Sequence, residues 1–142
     1  GLQNVVLERK AVGAEHGKIT ISNTSNAEVI LSGEGENVEL ICLDEYESLN
    51  PTFLKIDVEG FEAQVLQGAK KILATCPKLA IEIHAQKLVQ YGASIQDIFR
   101  LIGAEKYNLW IQWGDDQQPV EYDMRIPILN RVHLFGIPHP SG

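Results

Sequence analysis

Cysteine is scarce in this chain of 142 residues: only Cys42 and Cys76 occur, too few for a disulfide framework. Each lies in an apolar segment, so both are expected to be buried free thiols of a reduced, cytoplasmic protein. No pair of cysteines or histidines has zinc spacing, and His16, His84, His133 and His139 are scattered. Long hydrophobic runs are also missing. Stretches such as Leu79-Ala80-Ile81 are broken by charge within a few residues, so no membrane span is expected. The opening Gly1-Leu2-Gln3-Asn4 has neither a basic region nor an apolar signal core, so no secretion signal is read there. Basic residues are in deficit. Lys and Arg number 12 against 19 Asp and Glu, and the net charge of -7 argues against a nucleic-acid partner.

That deficit is local. No Lys or Arg occurs between Lys18 and Lys55, whereas Glu28, Glu34, Glu36, Glu39, Asp44, Glu45 and Glu47 all fall there. A solvated face is the expectation, because the acids lack the spacing of a calcium loop. Two catalytic signatures are absent as well. Ser32-Gly33-Glu34-Gly35 does not complete Gly-x-Gly-x-x-Gly and precedes no helix, and no Gly-x-Ser-x-Gly elbow occurs.

What is present describes one globular α/β domain. Hydrophobic residues make up 44% of the chain, enough to offset the entropy of ordering it. The first third reads as a β patch. Asn4 to Ala11 is strand-like, Lys18 to Ser22 alternates as a half-buried strand does, Ala27 to Leu31 is a short candidate, and Val38 to Leu43 is a further strand. Hairpins, or a small antiparallel patch, are expected there.

The middle changes character. Phe53 to Val58 reads as a strand, followed by a helix from about Phe61 to Cys76. Its residues Phe61, Val65, Leu66, Ala69, Ile72, Leu73 and Cys76 form one stripe. Gly68 inside that helix points to close backbone packing, and Pro77 stops it. Lys78 to His84 is the next strand. A second helix from Ser94 to Ile102 has Ser94 as N-cap, Asp97 as capping-box partner and Gly103 as its stop. Strands over Tyr107 to Trp113 and Arg131 to Ile137 complete a sheet whose central strands are expected to be parallel, with the Ile56 and Ile81 strands as neighbours or near-neighbours. Trp110 and Trp113 are expected to pack in the core and at its rim.

In an open parallel sheet, ligands bind beyond the carboxyl ends of the strands. Two places qualify: Asp57-Val58-Glu59-Gly60 after one strand, and Glu82-Ile83-His84 at the end of the next. If these strands are adjacent, Asp57, Glu59, Glu82 and His84 converge on one rim. Singly, each has a plain structural use: Asp57 or Glu59 capping the helix, Glu82 pairing with Lys55, His84 a satisfied rim histidine. Together they point to function, because acids at the ends of apolar strands are costly unless paired or used.

The ordered segments Leu43-Asp44-Glu45-Tyr46, Leu54-Lys55-Ile56-Asp57-Val58-Glu59-Gly60-Phe61-Glu62, Val65-Leu66-Gln67-Gly68-Ala69 and Ile81-Glu82-Ile83-His84 resemble the FkbM-type methyltransferase family. The resemblance implies a class I, Rossmann-like, mostly parallel sheet with helices on both faces. It also implies S-adenosylmethionine as cofactor, and O-methyl transfer to a hydroxyl of a small molecule or glycan. On that basis Asp57 would lie near the methionine part of the cofactor or the acceptor, and Glu59, Glu82 and His84 toward the acceptor. His84 and Asp57 are the candidate general bases. A divalent metal on the same acids, with oxygen ligands of the kind magnesium takes, is the less favoured option.

The resemblance departs from the family at the start of the chain. The Gly-rich turn and the ribose-binding acid of such enzymes are not visible, and the chain opens without a methionine on strand-like Val5-Val6-Leu7. Residues 1–142 are therefore expected to be a single domain, a methyltransferase domain lacking its first two strands. The alternative is a truncated, non-catalytic homologue that serves as a binding or assembly module, pairing with a second copy through an exposed sheet edge. A metal-dependent hydrolase using the same acids is a weaker third.

Overall fold

The structure is a computed structural model that describes residues 3–24 and 27–140. Two sheets are formed. The first has the order β1-β3-β2, from β1 (Lys10–Val12), β2 (Gly17–Ile21) and β3 (Glu36–Ile41). β1 runs parallel to β3 and β2 antiparallel to it, so the patch is mixed rather than antiparallel. The strand expected from Asn4 shortens to Lys10–Val12, since Val6 and Leu7 are exposed and gain nothing from pairing. Ala27 to Leu31 contributes only a bridge between Val29 and Ile21.

The second sheet has the order β4-β5-β8-β6-β7. Its strands are β4 (Phe53–Ile56), β5 (Lys78–His84), β6 (Tyr107–Gln112), β7 (Val120–Glu121) and β8 (Arg131–Pro138). β4 and β5 are parallel neighbours, with Ile56 opposite Ile81. The mostly parallel sheet expected from sequence is corrected here, because every other pairing is antiparallel. The cause is β8, which returns between β5 and β6 in the opposite sense and leaves β4, β5 and β6 pointing the same way.

Four short helices accompany this sheet: α1 (Glu62–Gln67), α2 (Lys70–Ala74), α3 (Ala85–Leu88) and α4 (Ile95–Ile102). They share one core with one face of the sheet, in which Leu66, Leu73, Leu88, Ile98 and Ile102 pack with Ile56, Leu79, Ile81, Ile83, Leu109, Ile111, Val132 and Leu134. Full burial of each such side chain stabilises by about 1.5–3 kcal/mol. The alternate strand residues, among them Phe53, Trp110 and Ile137, stay exposed on the opposite face. Helices on both faces are thus not found among the described residues. Trp110 is not a core residue either: it borders a shallow apolar groove with Phe53, Phe135 and Ile137. Trp113 packs edge-on against Tyr122.

The single helix expected over Phe61 to Cys76 is broken at Gly68 and Ala69. A Cβ built on Gly68 would overlap the carbonyl oxygen of Gly13, so the glycine lets the first sheet dock against the helix, as its position in the sequence predicts. The break leaves new amide donors at the start of α2. Asp44 takes them up, its carboxylate accepting from Lys71 N at 3.0 Å and Ile72 N at 3.2 Å. That acid, expected to be merely solvated, therefore joins the two layers. Helix α4 starts and stops as its sequence dictates, with a complete Ser94–Asp97 capping box and a left-handed Gly103 after its last residue. Both cysteines are free, but half-buried rather than buried. No helix among the described residues is long and apolar enough to cross a membrane.

Candidate functional site

The site is built by one tight turn. After β4 the chain reverses at Val58-Glu59-Gly60-Phe61, closed by Phe61 N donating to Val58 O at 3.2 Å. Both central residues have positive φ, 54° at Glu59 and 105° at Gly60. This is the signature of a primed turn, which glycine enters freely and glutamate enters at a cost of order 1–3 kcal/mol. A Cβ on Gly60 would sit 2.5 Å from Lys87 Cβ, so only glycine fits between the turn and α3. Gly60 N then donates to Glu62 Oε1 at 2.8 Å, fixing the first residue of α1 beneath the turn.

Glu62 is fully buried, and its Oε1 also lies 2.9 Å from His84 Nδ1. With Oε1 accepting, Nδ1 carries the proton, and Nε2 is the nitrogen left toward the rim. Nε2 lies 3.2 Å from Glu59 Oε2 and 3.7 Å from Glu82 Oε1. His84 itself is only 7% exposed. One ligand atom each from Asp57, Glu59 and His84 lies within 4.8 Å of the others, close enough for a cation to bridge them. The four residues expected to converge on one rim therefore do converge, because β4 and β5 are adjacent and parallel.

Cations already neutralise much of this charge. Lys55 Nζ donates to Asp57 Oδ2 at 2.8 Å, and this contact holds the Asp57 carboxyl below the usual carboxylate range. The pairing of Glu82 with Lys55 expected from sequence is not formed. Glu82 instead accepts from Arg131 at 2.8 Å, because the antiparallel register of β8 brings Arg131 opposite His84 and His133 opposite Glu82. Arg131 also binds Asp115 at 2.7 Å. Lys87 Nζ bridges Glu28 at 2.7 Å and Glu59 at 2.8 Å, and these bonds push it up to about 12. Glu28, from the acidic third, thereby ties the first sheet to the site.

Beside the rim, Asp57, Val58 and Phe61 form one wall of a groove of about 330 Å³. Val12, Ile21, Val29 and Val38 of the first-sheet layer line the other side. That volume lies within the range of small-molecule sites, and the lining mixes these apolar walls with the charged side chains of Asp57, Glu8, Arg9 and Lys10.

Three participants were not singled out for the site by the sequence: Glu62, Lys87 and Arg131. Glu62 left a signal. It precedes Val65, Leu66 and Ala69 by three, four and seven residues, which places a carboxylate on the buried stripe of its own helix. Lys87 and Arg131 left none, since a helix of four residues and an antiparallel register decide their positions.

An α/β domain that gathers Asp57, Glu59, Glu82 and His84 at the ends of two adjacent parallel strands has its charged cluster where open α/β sheets place ligands. The family model of the methyltransferase FkbM domain matches residues 3–109, and the chain belongs to that family. No curated protein and no solved structure matches it.

Proposed function

We propose that this chain serves S-adenosylmethionine-dependent O-methyl transfer to a hydroxyl of a small molecule or glycan, as a single domain forming part of a methyltransferase unit. The reading is carried by the convergence of Asp57, Glu59 and His84 within 4.8 Å at the strand ends of a methyltransferase-family domain. The groove supports this reading: its apolar walls suit the uncharged parts of the cofactor, the ionised Asp57 a cationic end, and Arg9 and Lys10 in the same lining an anionic one. When bound, the cofactor supplies an electrophilic methyl group. Asp57 and Phe61 are the residues of this chain that would hold it.

The remaining roles follow from proton chemistry. Asp57, depressed by Lys55, is a weak base and serves as a fixed negative charge. His84 Nε2 is the better proton acceptor for the hydroxyl, and the Glu59 and Glu82 carboxylates near it stabilise the imidazolium once Nε2 has taken the proton. Positioning of the oxygen supplies most of the rate in a displacement of this kind. A divalent cation is not invoked, since Lys55 and Lys87 already meet two of the three ligands that would hold it. The two free thiols suit a reduced, cytoplasmic setting.

Incubation with methyl-labelled S-adenosylmethionine and a panel of sugars and polyhydroxylated metabolites tests the reading. Label should enter an ether-linked methyl group with the wild-type protein and not with His84→Ala; equal incorporation by the variant contradicts the assignment. A second reading, an assembly module, is favoured by one feature: β4 is an edge strand paired only with β5 among the described residues. Light scattering that finds a dimer, in a protein that transfers no label, would support it.

A further inference from the structure

Glu62 is the one fully buried charged residue among those described, and the roles above leave it unused. Its Oε1 accepts from Gly60 N at 2.8 Å and meets His84 Nδ1 at 2.9 Å, while Oε2 is buried with no hydrogen-bond partner. A carboxylate in such a place is expensive, because desolvation of the charge is compensated at one oxygen only. Hydrogen bonding does not explain the choice. A glutamine at this position would present the same acceptor to Gly60 and to His84, and its amide would cost less to bury. What glutamine cannot provide is negative charge behind the imidazole.

We infer that Glu62 is a positioning residue of the His84 base: its buried carboxylate fixes the proton on Nδ1, holds Nε2 toward the rim and stabilises the imidazole when Nε2 takes up the acceptor's proton. The inference rests on the methyl-transfer reading for its catalytic consequence, but the pairing itself is a property of the folded protein. The chemistry is that of a carboxylate orienting a general-base histidine, a constellation recognised by geometry and not by fold. Proton balance is simple. The hydroxyl proton moves to Nε2 as the oxygen bonds the methyl carbon; the carbon–sulfur bond of the sulfonium donor would break with its electron pair staying on the sulfur, which leaves as a neutral thioether, and Glu62 remains ionised throughout. The turn serves the same end, since Gly60 N occupies Oε1 from the other side and prevents the carboxylate from rotating away from His84.

The test compares wild type with Glu62→Gln and Glu62→Asp, each first shown by circular dichroism to be folded. Nitrogen-resolved NMR of the His84 imidazole should place the proton on Nδ1 in the wild type. In Glu62→Gln that proton should resonate upfield and exchange faster. In the label-transfer assay Glu62→Gln should lose about 10²-fold or more in kcat with KM little changed, the size of a general-base contribution. Glu62→Asp, which keeps the charge, should retain more of the rate than Glu62→Gln. A purely structural role predicts the reverse order, because Gln is the better isostere. Imidazole signals unchanged in Glu62→Gln overturn the inference. Altered signals in a protein whose wild type transfers no label support the dyad and overturn the methyl-transfer reading instead.

Discussion

Gly68 and Gly13 meet backbone to backbone: the Cα of Gly68 lies so close to the Gly13 carbonyl that no side chain fits between them. At this contact the first sheet docks on the helical layer, and Asp44 N donating to Gly68 O at 2.9 Å reinforces it. Gly68→Ala must push the layers apart, because backbone and not a flexible side chain stands in the way. A loss of about 1–3 kcal/mol or more is expected in denaturant unfolding, as for other overpacked sites. Wild-type stability in this variant would show that the two layers are not held in this register.

Gly60→Ala combines two penalties, a positive φ of 105° and a Cβ 2.5 Å from that of Lys87. The variant is expected to lose about 2 kcal/mol of stability and to displace Glu62 from its place under the turn. Perturbation of the His84 imidazole resonances would report that displacement. Unchanged resonances together with an unchanged melting temperature would contradict the turn geometry.

Lys87 gives a pH dependence of known sign. Its ammonium is raised from 10.5 to about 12, first by Glu28 and then by Glu59. A raised cation contributes stability that is complete below its unfolded value and is lost as pH rises through the folded one. The stability gap between wild type and Lys87→Met should therefore be steady below about pH 10 and shrink between 10.5 and 12. Chemical denaturation across that window measures it. A gap that does not change with pH would mean that the bridge between Glu28 and Glu59 is not formed.

Ser94→Ala removes the half of the α4 capping box in which Ser94 Oγ accepts from Asp97 N at 3.3 Å. A cost of about 1 kcal/mol is expected in equilibrium unfolding. Unchanged stability in this variant would contradict the cap.

The features written as local chemistry were legible in the sequence. The Ser94–Asp97 box, the Gly103 stop, the strand ending at His84 and the close approach at Gly68 all rest on residue types whose conformational needs are fixed within a few positions. The rim of Asp57, Glu59, Glu82 and His84 was legible for the same reason, given two adjacent strands. Strand direction was not, because β8 lies between β5 and β6 by long-range pairing that alternation alone does not encode. The partners of the acids followed the register and not proximity in sequence, so Glu82 found Arg131 across the sheet while Lys55 stayed with Asp57. Glu62 stands in the first turn of α1, and its place on the apolar stripe marks it as buried.

The central claim, a cofactor-binding groove with Asp57 at its edge, is tested most directly by calorimetric titration of the protein with S-adenosylhomocysteine, repeated on Asp57→Ala. Saturable binding by the wild type, lost or strongly weakened in the variant, is the predicted result. Equal binding by both proteins, or no binding by the wild type, would contradict it.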